Sequence, residues 1–216
     1  MMRSVYGKRT VFLALGLVGC LAFAAVAWAA TSAYFLAASG TWTEVSGVKH
    51  ALHKQFAPNS TKEGVSEFVF FEKTDDPVSI RVGTRKLCDN DCKAGDSHNL
   101  QVRDADPGFL TLPQLWYAAA DEDHYVTAIQ VCLNGRDDLS KAKIKGLKVW
   151  SARIDDSGKL VYDNSPNKEE LNNCKEWSNK VSCPDGRIAT GVRAHYISDS
   201  KGFAGLALYC SNYKKQ

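Results

Sequence analysis

The chain has 216 residues, with 27 Lys+Arg against 24 Asp+Glu and 44% hydrophobic residues. That length holds one domain or two small ones with a sizeable core. Three of the cations (Arg3, Lys8, Arg9) and no acid fall in residues 1–30, so the rest is charge-neutral with no basic run, which leaves nucleic-acid binding without its phosphate-neutralising footing.

The N-terminus carries the first organised signal. A basic stretch, Met1–Arg9, precedes an apolar run from Val11 to about Ala30, closed by Ala27-Trp28-Ala29. These are the parts of a secretory signal peptide cut after Ala29 or Ala30. Two alternatives accompany it. Apolar character continues through Ala33–Ala38, so 11–38 uncut has the length of a membrane anchor. Leu17-Val18-Gly19-Cys20 fits a lipobox, although ten apolar residues follow Cys20. The working part is then a single β-rich domain, 31–216, acting as a secreted, periplasmic or cell-surface protein.

Beyond the leader, helical periodicity is scarce and strand-like runs recur. Asn59-Ser60-Thr61 is a glycosylation sequon. Glu67–Phe71 and Val78–Val82, joined by a polar turn, read as a hairpin. A loop-rich stretch, 88–108, follows. Leu110–Tyr117 reads as a strand or a short helix. Asp155-Asp156-Ser157-Gly158 is a turn between Val149–Ile154 and Leu160–Tyr162, and Asn167–Cys174 reads as one helical turn.

An internal repeat organises the second half. Tyr125–Cys132, a polar loop and Ile144–Trp150 match Ile188–Tyr196, a polar loop and Phe203–Cys210. Thr127 falls on Thr190, Ala128 on Gly191, Ile129 on Val192, Gly146 on Gly205, Leu147 on Leu206 and Trp150 on Tyr209. Both arms alternate apolar and polar residues, so each unit is a hairpin with one buried face. The recurring small residues suggest strands bending about a common axis. Residues 67–88 supply a third, diverged unit, since repeat folds need several units to close a core.

Six cysteines lie beyond the leader: Cys88, Cys92, Cys132, Cys174, Cys183 and Cys210. An even count in an exported chain is a disulfide framework, with fifteen possible pairings. Proximity suggests Cys88–Cys92. A zinc site on Cys88, Cys92 and His98 lacks a fourth ligand, and a calcium site on Asp89, Asp91 and Asp96 is interrupted by Lys93. No metal or cofactor is therefore expected.

Trp177–Gly186, with its Cys183-Pro184-Asp185-Gly186 turn, leads into Ile188–Arg193 and closes with Gly205–Cys210. This pattern resembles the repeat of the vitelline membrane outer layer protein I family. The likeness covers 177–210 well, extends to 125–150, and does not reach the first half. The family's acidic turn before the closing strand is approximated only by Asp199. A dermatopontin-like pattern is the second resemblance. The first implies a β-prism of three sheets, similar in shape to some plant lectins and without an established enzymatic mechanism. It also implies that Cys183 pairs with Cys210, which leaves Cys132–Cys174 by elimination.

Catalytic signals are weak. The histidines, His50, His53, His98, His124 and His195, have no nucleophile elbow beside them. His50 and His53 read as a solvated surface pair, and His195 as a strand residue at the place of Cys132. The acidic pairs at 75–76, 121–123, 137–138 and 155–156 are sufficiently explained as turn formers. Aromatic residues near polar loops suit sugar recognition, where a ring face stacks and a carboxylate accepts hydroxyl protons. Trp150 with Asp137 and Asp138, and Trp177 with Asp199, are the candidates. The expectation is an all-β, disulfide-stapled, non-catalytic module binding a glycan or surface polymer. Alternatives are an envelope subunit assembling through 33–38 and open strand edges, as a homo-oligomer, and a secreted hydrolase using loop carboxylates.

Overall fold

The computed structural model describes residues 34–57, 62–73, 75–88, 91–102, 114–135, 138, 140–198 and 201–215. All regular elements in it are strands: β1 Tyr34–Trp42, β2 Ser46–Gly47, β3 His53–Phe56, β4 Glu63–Lys73, β5 Asp76–Lys86, β6 Ala94–Gln101, β7 Gln114–Ala119, β8 His124–Leu133, β9 Ile144–Ile154, β10 Leu160–Tyr162, β11 Asn167–Glu170, β12 Glu176–Trp177, β13 Val181–Ser182, β14 Arg187–Ser198 and β15 Lys201–Lys215.

They form three antiparallel sheets, each built on a long central hairpin. Sheet A runs β1-β15-β14-β3, with β2 also on β15. Sheet B runs β6-β5-β4-β7. Sheet C runs β10-β9-β8-β12, with β11 on β9 and β13 on β8. The hairpins β4–β5, β8–β9 and β14–β15 are three copies of one unit. Their registers coincide: Phe68 faces Val82, Ile129 faces Val149, and Val192 faces Leu208. Four inward positions repeat in each hairpin. They are filled by Phe68, Phe70, Ile80 and Val82, by Ile129, Val131, Leu147 and Val149, and by Val192, Ala194, Leu206 and Leu208. All are wholly buried in one core. Each large apolar side chain contributes about 1.5–3 kcal/mol on burial, so three sheets sharing one core is the arrangement of a β-prism.

The unit also repeats a polar detail. On its first strand each hairpin skips one residue of register: Ser66, Thr127 and Thr190. All three are buried hydroxyl residues, and each donates to a carbonyl of the facing strand: Gly83, Trp150 and Tyr209, at 3.3 Å in every case. A bulge sharpens strand twist, and a buried hydroxyl needs a partner; one residue meets both demands.

Gly191 and Gly205 serve close approach rather than bending. A Cβ on Gly205 would lie 2.4 Å from the Val48 carbonyl oxygen, and one on Gly191 would lie 2.6 Å from that of Phe56. These glycines let the chain at Val48 and at Phe56 come close to β15 and β14, on which β2 and β3 pair.

Three bridges form: Cys88–Cys92 closes the loop between β5 and β6, Cys132–Cys174 ties β8 to the chain before β12, and Cys183–Cys210 links the end of β13 to β15. A smaller apolar cluster of Tyr34, Leu36, Leu87, Tyr125, Ile154 and Ile188 joins residues of sheets A and C to Leu87, the residue after β5. One expectation needs correction. Residues 167–170 are strand, not helix: the free edge of β9 pairs with them from Gly146 to Val149. Within β1, Tyr34 and Leu36 are buried. No helix among the described residues is long and apolar enough to cross a membrane.

Candidate functional site

Trp150 lies on the outer face of sheet C, opposite Ala128, whose small side chain leaves the indole room. After Ile154 the chain turns at Asp155–Gly158. Asp155 Oδ1 accepts the Ser157 and Lys159 amide protons, and Gly158 adopts φ 81°. That turn sends β10 back along β9, so Tyr162 arrives opposite Ala152. The result is a cleft of about 200 Å³ whose rim includes Trp150, Tyr162, Asp163, Lys180, Ser182 and Asp185.

The groups in this cleft are held. The Lys180 ammonium stands 4.0 Å over the Trp150 ring. The Tyr162 hydroxyl, on a half-exposed ring, accepts the Gly186 amide proton at 3.2 Å. The Asp163 carboxylate accepts the Ser151 hydroxyl proton at 2.5 Å and pairs with His124 Nε2 at 3.2 Å. This Ser151–Asp163–His124 chain has the carboxylate in the middle. A nucleophilic serine needs the imidazole beside its own hydroxyl, so the order provides orientation and not acyl transfer.

The structure brings some expected residues together and separates others. Asp138 sits in the β8–β9 loop, where hydrogen bonds from Ser140 and Lys141 hold its carboxyl down to about 2. Trp150 is six residues beyond the start of β9, roughly 20 Å along the strand, so Asp138 and Trp150 do not share a site. Asp138 instead lines a shallow recess with Asn134, Gly135 and Lys141. Asp137 and Asp199 lie outside the described residues, as does the 59–61 sequon. Trp177 is on β12 opposite Cys132, with the Lys148 ammonium 4.2 Å above its ring. It shares the outer face of sheet C with Trp150 without joining its cleft.

Tyr162, Asp163, Lys180, Ser182 and Asp185 were not singled out in sequence. Counting hairpin register back from the Asp155–Gly158 turn places Tyr162 two residues from Trp150, so that part of the signal was present. Asp185 arrives from a Cys-Pro-Asp-Gly turn with no local cue to its neighbours.

Two other polar clusters are occupied by internal bonds. Cys88, Cys92 and Asp123 are close enough to share an ion, but the two sulfurs are bonded to each other and Asp123 accepts the Cys92 amide proton at 2.7 Å. His195 is buried at 3% exposure, and its Nδ1 lies 2.7 Å from the His50 carbonyl oxygen. His53 is its cross-strand partner, with ring centroids 5.6 Å apart. His195 is thus packed against its neighbours, while His53 stays exposed.

No family model and no curated protein sequence matches the chain. Solved structures with a similar outline include lectins. Calystegia sepium agglutinin is 12% identical at TM-score 0.47, covering 81% of this chain and 97% of its own. Calsepa lectin, solved in complex with a biantennary N-glycan, is 10% identical at TM-score 0.49, covering 83% and 99%. Artocarpin, a lectin with mannose specificity, is 9% identical at TM-score 0.42, covering 81% and 99%.

Proposed function

We propose that this chain, freed of its leader over residues 1–30, works outside the cytoplasm as a non-catalytic module that binds a glycan in the Trp150–Tyr162 cleft. One observation carries the reading. An indole and a half-exposed phenol ring meet two carboxylates, a lysine and a serine hydroxyl in one open cleft. Aromatic rings present apolar faces to a pyranose, and the polar groups fix its hydroxyls, which is the division of labour in a small-ligand site. Kinship with the vitelline membrane outer layer protein I repeat belongs to the same proposal; it is supported by the 177–210 pattern and by the three equivalent hairpins.

Affinity electrophoresis through gels containing soluble polysaccharides tests it. The wild-type protein is retarded, and Trp150→Ala weakens retardation at least about tenfold, equivalent to 1.4 kcal/mol, with an unchanged circular dichroism spectrum. A Trp150→Ala protein that runs like the wild type removes the cleft from the binding reaction.

A further inference from the structure

A second groove, of about 330 Å³, opens where the edge of sheet B meets the edge of sheet C. That size reaches the lower end of the range of ligand sites, roughly 300–1,000 Å³. Its walls are β7, with Tyr117 and Ala119, and β11, with Asn167, Lys168 and Glu169; Asp121 closes one end. Tyr117 is 57% exposed, an aromatic ring on an edge strand that the protein itself leaves uncovered. Small residues beside it, Ala118 to Ala120, leave the groove open.

The polar groups here are pre-set. Asn167 Nδ2 donates to the Ala119 carbonyl at 2.9 Å and to Asp121 Oδ1 at 2.8 Å. Arg85 donates to the Asp121 carbonyl at 2.9 Å. The amide is thereby oriented with Oδ1 left as an acceptor, and the carboxylate keeps Oδ2. An amide and a carboxylate held together at 2.8 Å, in a groove with an exposed ring, offer acceptors to the hydroxyls of a sugar whose apolar face rests on the ring. Asp121 and Glu169 outnumber Lys168, which is itself paired with Glu170 at 2.9 Å. A polyanion is therefore disfavoured and a neutral saccharide favoured.

From this geometry we infer that the Tyr117–Asp121–Asn167 groove is a second binding site, for neutral saccharides. It stands on its own residues and not on the Trp150 cleft. The two sites flank one segment: Tyr162 pairs with Ala152, and Asn167 with Val149. Three residues of β9 separate those partners, about 10 Å along the strand. Two sites that close make the protein bivalent towards one polymer, and bivalency multiplies apparent affinity by about 100-fold or more.

The test is affinity electrophoresis of the whole chain in galactomannan, a neutral polymer, and in polygalacturonate, an anionic one. Four proteins are compared: wild type, Tyr117→Ala, Trp150→Ala and the double variant, with Tyr117→Phe and circular dichroism as controls for the ring and the fold. The expected result is retardation by galactomannan, a loss of about 100-fold or more in each single variant, none left in the double variant, and retention in Tyr117→Phe. Unchanged behaviour of Tyr117→Ala beside loss in Trp150→Ala overturns the second site and leaves the first. Loss in Tyr117→Ala with Trp150→Ala unaffected supports the groove and overturns the cleft. No retardation of the wild type, or retardation by polygalacturonate alone, overturns the inference.

Discussion

Lys145 is the most consequential charged residue in the fold. It is wholly buried near the start of β9, and its ammonium bonds Glu72 Oε1 at 3.0 Å, the Asp75 carbonyl at 2.7 Å and Asp75 Oδ1 at 2.7 Å. All three ammonium protons are used, which ties sheet C to the β4–β5 turn. Burial alone would raise the Asp75 pKa, but hydrogen bonding and charge from Lys145 hold it below the usual carboxylate range. Glu72 is 8% exposed, whereas the Asp75 side chain is 61% exposed. Lys145→Met therefore strands Glu72 far more than Asp75. Breaking a buried pair costs about 3–5 kcal/mol, and a domain of this size shifts by about 2–4 °C in Tm per kcal/mol. Thermal denaturation at pH 7, followed by near-ultraviolet circular dichroism, should show a fall of about 6–20 °C. Adding Glu72→Gln should recover at least half of it, because the stranded charge is gone. Asp75→Asn alone should cost under about 1 kcal/mol, as exposed pairs do. A loss below about 1 kcal/mol in Lys145→Met would refute the argument, since a dry carboxylate would then be tolerated without its cation.

The other predictions concern sheet A. Burial lowers the His195 pKa most; the hydrogen bond to the His50 carbonyl opposes this, and the charges of His53, Arg193 and Lys49 add to it. The His50 pKa is lowered by burial as well. In both cases the unfolded chain takes up its proton first, so stability is full above the unfolded value of about 6.5 and falls as pH drops through it. Each histidine contributes at most about 1.4 kcal/mol per pH unit. Melting curves between pH 8 and 5 should show this decline, with a shallower slope in His195→Gln; an identical slope would absolve His195. Gly205→Ala should cost about 1–3 kcal/mol, as overpacking does, because its Cβ meets the Val48 carbonyl and lies 2.8 Å from Val45 Cγ1. Urea titration reads that loss, and a midpoint equal to wild type would mean that the loop at 45–48 yields freely.

Much of the fold was legible because its signal is local. Alternation over Tyr125–Cys132 and Ile188–Tyr196 has period two, and a hairpin with one buried face has no other pattern. The matched pairs Ala128/Gly191 and Gly146/Gly205 stand in the register that the sheets adopt. The third unit resisted alignment because Glu67 and Gly83 replace the Ala128–Trp150 pair. Its remaining mark is the hydroxyl at Ser66, one position in three that only the carbonyl bonds make meaningful. Asn167–Glu170 was misread because Lys and Glu favour helix, while the partner that makes it a strand is the distant edge of β9. Trp150 was legible as an aromatic near polar loops. Its companions were not, because Asp163 and Asp185 reach it through a turn and through the packing of β13, neither written near Trp150.

The repeat also explains why a cleft forms on sheet C at a place that is closed on its sisters. Trp150, Tyr209 and Gly83 occupy one position of the unit. On sheet A that position is closed: Trp42 packs against the Tyr209 ring at 5.1 Å, and the Tyr209 hydroxyl accepts the Gly40 amide proton at 2.9 Å. On sheet B it is glycine, with the Glu67 side chain lying across it. Sheet C alone has a large aromatic there with no strand covering it, because the edge beside it is split into the short β10 and β11. The same split leaves Tyr162 on one side and Asn167 on the other, so a single irregular edge opens both grooves. The outer faces thus differ where the pseudo-symmetry fails: the shared core holds the hairpins alike, and the interrupted edge strand decides which outer face stays open.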